Sequence, residues 1–199
     1  MSDRFYIEDA GKVFAKGVTN VVVKGWVHNK RSSGKIKFMV VRDGTGFMQG
    51  VLVKGECDDA SFEDFEKLTQ ESAVIAHGTL RQNPRQPGVF ELGVSKIETV
   101  SIAEPYPISL KEHGVEFLME NRHLWVRSAK QHAALSVRAE IIKCIREFYD
   151  DRGFVLFDAP ILTPSSCEGT STLFTTPYFD TKAYLTQSGQ LYGEVGAMA

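Results

Sequence analysis

The feature that most constrains the fold is a change of hydrophobic pattern about halfway along the 199-residue chain. The first hundred residues carry short runs of β-branched and aromatic residues separated by glycine-containing turns, a pattern typical of strands. After about residue 128 the apolar residues recur at the spacing of a long amphipathic helix. The two patterns predict an α+β protein in two parts.

The first half predicts five strands and one short helix. The strands are expected at residues 21–27, 36–41, 47–53, 73–80 and 89–94, and the helix at residues 59–68. Three strands, a helix and two strands in about a hundred residues form the order of a five-stranded OB-fold barrel. Such a barrel binds oligonucleotides on the face of its second and third strands.

The charge is distributed unevenly along the chain. Lys and Arg total 23 against 25 Asp and Glu, so the chain as a whole is not a polycationic nucleic-acid binder. Residues 11–42, however, contain no acidic residue and eight basic ones, Lys12, Lys16, Lys24, Lys30, Arg31, Lys35, Lys37 and Arg42. We expect several of these cations to share a sheet face that attracts a polyanion. The alternative is a solvated strand edge that lysines protect against aggregation.

The second half predicts one long helix with both of its ends marked. Ser128 is expected to cap the helix, which ends near Arg152, and Gly153 lies where a left-handed C-cap is needed. Residues 154–157 predict a short strand that leads into Pro160, and a second strand is expected at residues 184–186. These elements are too few to close a core of their own.

The predicted division of the chain follows from these patterns. Residues 101–127 contain two prolines and a His-Gly pair without a sustained period, which is typical of a linker. We therefore expect a barrel at residues 1–100, a hinge at residues 101–127 and the beginning of another domain at residues 128–199.

Several protein classes are disfavoured by what the sequence lacks. The three cysteines are far apart and the five histidines lack ligand spacing, which argues against a disulfide framework or a metal site. No apolar run approaches the roughly 20 residues that a membrane helix needs. The N-terminal MSDRFYIEDA is charged where a signal peptide is apolar. We expect a cytoplasmic protein with no membrane partner and no bound cofactor.

A cation, an aromatic ring and an amide occur on neighbouring predicted strands as Arg31, Phe38 and Gln49. An RNA base stacked on a ring contributes about 1–3 kcal/mol, a cation holds phosphate, and an amide can bind a base edge. The three residues therefore indicate a reader of single-stranded RNA. The alternative for Phe38 is simple core packing.

Polar residues beside glycines suggest a second site near the end of the chain. Residues 167–170 and 187–194 contain Glu168, Gln190 and Glu194 within glycine-containing segments. A carboxylate can bind an α-ammonium group, and an amide both donates and accepts hydrogen bonds. These groups suit a small zwitterion, and the alternative is a set of polar surface loops.

Four segments resemble the class IIb aminoacyl-tRNA synthetases, most closely the asparaginyl enzymes, along essentially the whole chain. They read KGWVHNKRSSGKIKFMVVRDGTGFMQ, FLMENRHLWVR, APILTPSSCEGTSTLF and YLTQSGQLYGE. The resemblance implies an OB-fold anticodon domain followed by the start of an antiparallel-sheet catalytic domain. It also implies a homodimeric asparagine–tRNA ligase that uses ATP and Mg²⁺ to join L-asparagine to tRNA(Asn).

The resemblance assigns roles to residues in both halves of the chain. Arg31, Phe38 and Gln49 match residues that hold the anticodon, with Phe38 stacking on the central uridine. Gly153 and Pro160 belong to the segment that forms the dimer interface.

The amino-acid pocket is also implied by the resemblance. Glu168 matches the residue that binds the α-ammonium group, and Ser188 and Gln190 match residues that line the pocket. Aspartyl enzymes carry a lysine where this chain has Gly193, and Glu194 would accept a hydrogen bond from an amide but repel a carboxylate. Asparagine is therefore expected, with a non-discriminating aspartyl enzyme as the alternative.

The resemblance stops short of the family's two ATP-binding arginine motifs, which have no counterpart in the sequence. We expect the chain to be the N-terminal portion of the enzyme, with no catalytic side chain of its own. The remaining alternative is a tRNA-binding module without ligase activity.

Overall fold

Two compact units make up the chain in the computed structural model, Met1–Arg122 and His123–Ala199. The structure describes residues 5–109, 111–164 and 173–199. In these ranges no helix combines the length and the apolar character that crossing a bilayer requires.

A closed five-stranded barrel forms the centre of the first unit, with the strand order β1-β2-β3-β5-β4. Its strands are β1 (Asn20–Ser33), β2 (Ile36–Arg42), β3 (Phe47–Val53), β4 (Ala73–Gln82) and β5 (Phe90–Ser101). Helix α1 (Ala10–Ala15) precedes the barrel, and α2 (Asp59–Asp64) lies between β3 and β4. Only the pairing of β3 with β5 is parallel among these neighbours. The OB-fold prediction is confirmed.

Alternation along the strands builds the barrel core. In β2 and β3 every second side chain points inward, so that Met39, Val41 and Leu52 are buried while their neighbours face outward. Phe65 and Leu68, which follow α2, are also fully buried and close one region of the core. The apolar spacing predicted for this segment therefore corresponds to a real buried face.

Strand β1 is long enough to pair with two neighbours. Residues 20–26 pair with β4 and residues 26–33 pair with β2, with a register shift between Val27 and Asn29. Such a bulge bends a strand and increases its twist. A Cβ atom on Gly25 would clash with the backbone oxygen of Arg42, so glycine permits the close approach of β1 and β2.

The second unit contains a long helix and a separate antiparallel sheet. Helix α5 (Ala129–Asp150) begins after Ser128, whose hydroxyl accepts a hydrogen bond from the Gln131 backbone N–H at 3.4 Å. Gly153 has φ +79°, the left-handed conformation predicted for it. The sheet has the order β6-β8-β7, and its strands are β6 (Leu162–Thr163), β7 (Thr175–Tyr178) and β8 (Thr181–Leu185).

Some predicted elements differ from the structure. Residues 154–157 form no strand, because they are exposed and no strand in the described ranges pairs with them. The predicted linker contains two short helices, α3 (Val115–Glu120) and α4 (Arg122–Trp125). The predicted polar loop after residue 186 includes helix α6 (Gln190–Ala197).

Candidate nucleic-acid interface and amino-acid pocket

The three predicted RNA-contacting residues lie on the outer face of neighbouring strands. Arg31 pairs with Phe38 across β1 and β2, and Phe38 pairs with Val51 on β3. Phe38 is half-buried and lies between the inward side chains of Lys37 and Met39, so its ring faces outward. Gln49 occupies an equivalent outward position on β3. The interpretation of Phe38 as a core residue is therefore wrong.

Arg31 and Phe38 are in direct contact. The Arg31 Cζ atom lies 4.2 Å from the centroid of the Phe38 ring, which is a cation–π distance. The guanidinium therefore covers one face of the ring. A base that stacks on that face would displace Arg31 from the ring while leaving its charge near the phosphate backbone.

The side chain of Gln49 lies beside a carboxylate that the sequence did not reveal. Glu91 on β5 pairs in register with Gln49, and its Oε2 atom accepts hydrogen bonds from Gln49 Nε2 at 3.5 Å and Asn83 Nδ2 at 3.4 Å. With Nε2 directed to Glu91, the Gln49 carbonyl Oε1 is the acceptor left for a base. Only the parallel register of β3 and β5 brings Glu91 here, and residue types alone do not predict that register.

Two of the eight basic residues in residues 11–42 point toward the interior of the first unit instead of toward a binding face. Lys37 is only 5% exposed, and its Nζ atom forms an ion pair with Glu66 at 2.8 Å. The Lys30 Nζ atom donates to the backbone oxygens of Phe65 at 3.0 Å and Glu66 at 2.9 Å. Burial is the main cause that lowers the pKa of Lys30 below its ordinary value. Lys30 and Lys37 are therefore not among the cations that an outer face presents to a ligand.

The residues predicted to bind the amino acid fall on one short segment of the second unit. Gln190 and Glu194 are one helical turn apart in α6 and therefore share a side of it. The Ser188 hydroxyl, just before α6, is buried and has no hydrogen-bond partner among the described residues. Glu168 lies outside the described residues. A buried hydroxyl without a partner is costly, and a polar ligand would satisfy it.

The residues predicted for a dimer interface flank an apolar groove. The groove has a volume of about 510 Å³, and α5 and the segment after Gly153 line it with Ile142, Ile145, Tyr149, Phe154 and Leu156. Pro160 is exposed a few residues beyond the groove.

The described residues do not form a metal site. They contain no group of three or more His, Cys, Asp or Glu side chains placed to hold a metal ion. Mg²⁺ is usually held by one or two carboxylates together with substrate phosphates and waters, so it does not require such a group.

Two family models match the chain, one in each half. Residues 21–100 match the OB-fold nucleic acid binding domain of the tRNA anticodon family, and residues 114–199 match the class II tRNA synthetases (D, K and N). The two matches correspond to the barrel and to the α5-containing part of the chain.

Curated relatives carry one consistent name. An asparagine–tRNA ligase from Pelotomaculum thermopropionicum is 56% identical over 179 residues, which are 90% of this chain and 42% of the relative. One from Koribacter versatilis is 52% identical over 196 residues, 97% of this chain and 44% of the relative. The chain thus spans less than half the length of these relatives.

A solved structure shares the fold. Asparaginyl-tRNA synthetase from Pyrococcus horikoshii, complexed with asparaginyl-adenylate, superimposes with a TM-score of 0.86 at 32% identity and covers 100% of this chain and 46% of its own. A second structure of the same enzyme gives a TM-score of 0.79 at 34% identity over 90% of this chain and 41% of its own. With the barrel, the antiparallel sheet and both family models in agreement, the chain belongs to the class II tRNA synthetases of the D, K and N group and is related there to the asparaginyl enzymes.

Proposed function

We propose that the chain is the anticodon-binding and initial catalytic portion of an asparagine–tRNA ligase. In this proposal residues 1–100 bind the anticodon, residues 101–127 form a hinge and residues 128–199 begin the catalytic domain. The boundary between the two compact units, after Arg122, falls inside the proposed hinge. The curated relatives named asparagine–tRNA ligase support the assignment.

The observation that carries the proposal is the joint placement of Arg31, Phe38 and Gln49 on one outer face. A base stacks on the Phe38 ring, the displaced Arg31 binds phosphate, and the Gln49 carbonyl accepts from a base N–H group. A uracil edge offers such an N–H group, which fits the central uridine of an asparagine anticodon. The neighbouring Glu91 holds the amide of Gln49 in the required orientation.

Selection of asparagine over aspartate is assigned to Glu194 on α6. A carboxylate accepts a hydrogen bond from the side-chain amide of asparagine and repels the carboxylate of aspartate. Ser188 and Gln190 line the pocket, and Glu168 binds the α-ammonium group. ATP and Mg²⁺ belong to the longer enzyme, where they activate the asparagine carboxylate as an adenylate before its transfer to tRNA(Asn).

The complete enzyme is proposed to be a cytoplasmic homodimer. The apolar groove along α5, with Gly153 at its turn and Pro160 beyond it, supports this placement of the subunit interface. An exposed apolar surface of this kind is typical of the faces that obligate interfaces cover. In the longer enzyme, I145D is expected to shift the dimer to monomer in sedimentation analysis. A133D, on the opposite side of the same helix, should leave it dimeric.

Fluorescence anisotropy with anticodon stem-loops tests the RNA-binding part of the proposal. The 199-residue chain should bind a loop with the anticodon GUU more tightly than one with GUC. F38A should abolish saturable binding, whereas V18A, outside the binding face, should leave it unchanged. Equal affinity for both loops would reopen the aspartyl alternative, and indifference to F38A would refute the proposed RNA site.

Amino-acid-dependent ATP–pyrophosphate exchange tests the ligase part. The 199-residue chain is expected to show none, whereas the longer enzyme should exchange with asparagine and hardly with aspartate. In the longer enzyme E194Q should erode that preference. An unchanged ratio of the two exchange rates would remove the role given to Glu194.

A further inference from the structure

A second set of aromatic side chains lies on the same outer barrel face as Gln49. Trp26, Arg42 and Phe47 are in register across β1, β2 and β3, two residues along β3 from Gln49. His28, at the bulge of β1, contacts Phe47 with 4.9 Å between the ring centroids. We call Trp26, His28, Arg42 and Phe47 the aromatic row.

The rings of the aromatic row are unusually open to solvent for such large apolar groups. Phe47 is 53% exposed and Trp26 is 43% exposed, while Phe65 in the same unit is fully buried. Adjacent exposed aromatic rings on one face are typical of an interaction surface.

The other two members of the aromatic row hold the rings in place and add polar character. Arg42 Cζ lies 5.8 Å from the centroid of the Trp26 ring, and its Nη2 atom forms a 2.8 Å ion pair with the buried Glu71. The guanidinium is therefore fixed beside Trp26. His28 Nδ1 is buried and has no hydrogen-bond partner in the part of the chain that the structure describes.

The place of the aromatic row on the sheet indicates which kind of partner it binds. Residues two apart on a strand project from the same face about 7 Å apart. Phe47 therefore continues the surface formed by Arg31, Phe38 and Gln49. Aromatic rings beside a fixed cation favour a nucleobase, because stacking does not depend on base identity.

We propose that the aromatic row binds an unpaired nucleotide that directly flanks the anticodon triplet, with its base stacked on Phe47. The proposal rests on the proposed function, since it assumes that the triplet occupies the neighbouring Phe38 site. The row then extends the RNA contact beyond the three anticodon bases. It contributes affinity without discriminating between the two anticodons.

The test is a double-mutant cycle on the 199-residue chain by fluorescence anisotropy. Stem-loops with the anticodon GUU are used intact, with an abasic nucleotide directly 5′ of the triplet, or with one directly 3′ of it. F47A should weaken binding of the intact loop about fivefold or more, as expected for the loss of one stacked base. On one of the two abasic loops, F47A should have no further effect.

Two further variants separate stacking from folding and from general apolar contact. F47Y keeps the ring and should bind like the unmodified chain, whereas F47L keeps apolar volume and should bind as weakly as F47A. The melting temperatures of all three should stay close to that of the unmodified chain, because Phe47 is half-exposed. V18A, with an exposed apolar side chain outside the row, is the matched control and should not change affinity.

The outcomes distinguish this proposal from the proposed function. If F38A abolishes binding but F47A leaves affinity within twofold, the aromatic row does not bind RNA. The same conclusion holds if F47A lowers the affinity for both abasic loops by the same factor as for the intact loop, because the two changes are then independent. If neither F38A nor F47A changes affinity, or the unmodified chain does not bind, the proposed RNA site itself is wrong.

Discussion

Both the barrel and the second unit contain many large apolar side chains, but only the barrel buries them in a core. In the barrel, eighteen buried residues form one continuous core that draws on all five strands. Among the described residues of the second unit, only Thr163 and Ala183 are buried. Helix α5 exposes its entire apolar stripe, including Ile141, Ile145 and Phe148.

The two units depend on interactions of different range along the sequence. Helix α5 has a capped start at Ser128 and a glycine turn at Gly153, both of which involve residues within a few positions. The barrel depends on pairings across the sequence, such as that of β3 with β5. Local signals can form a helix, but only packing of its apolar face gives it most of its stability in a protein.

Hydrogen exchange on the whole chain should show the largest contrast. The Val74 amide, in the strand between β1 and β5, should exchange at least about a thousandfold more slowly than the Ile145 amide. The reason is that Val74 opens only when the barrel unfolds, whereas α5 lacks a buried face. The readout is residue-resolved exchange by NMR.

Concentration dependence provides the control for that experiment. Similar protection of both amides at low protein concentration would contradict the contrast between the units. Protection of Ile145 that appears only at high concentration would instead indicate that another molecule covers α5.

Two leucine truncations should sharpen the comparison. L52A removes a fully buried side chain from the barrel and should lower the free energy of unfolding by about 2–5 kcal/mol. L156A removes a side chain that is 57% exposed and should change it by less than about 0.5 kcal/mol. Urea denaturation followed by Trp fluorescence measures both. Equal effects would mean that the second unit has a core comparable to that of the barrel.

Acid should weaken the barrel slightly through Glu66. The hydrogen bond from Lys37 is the main cause that holds the pKa of Glu66 below its ordinary value of 4.5. The unfolded chain therefore takes up this proton at a higher pH than the folded chain, so the stabilisation is complete above pH 4.5 and is lost as the pH falls below it. Because Glu66 is largely exposed, the contribution is well under about 1 kcal/mol.

The measurement compares urea midpoints at pH 7 and below pH 4 for E66Q and the unmodified chain. E66Q should be slightly less stable at pH 7, and the difference should shrink in acid. E63Q, three residues earlier in α2, is the matched control. A difference that persists unchanged in acid would exclude the ion pair with Lys37 as its cause.

Alternation and turn residues were sufficient to predict the barrel strands and α5. Residues 154–157 have the composition of a strand, but composition does not supply a neighbour to pair with. Arg31, Phe38 and Gln49 were found from residue type and their positions on predicted strands. Glu91 and the aromatic row could not be found in this way, because only the register between strands shows which outward-facing residues are neighbours.

The internal pairing of the basic residues changes how the barrel should respond to ionic strength. Four of these residues already have partners within the first unit: Lys12 at Asp9, Lys30 and Lys37 at residues 65–66 just after α2, and Arg42 at Glu71. At most four of the eight cations in residues 11–42 are then available to release counterions from RNA. On single-stranded RNA, each phosphate neutralised contributes about −0.7 to the slope of log K against log salt, where K is the association constant. Four available cations therefore predict a slope of roughly −3, whereas all eight would predict roughly −6.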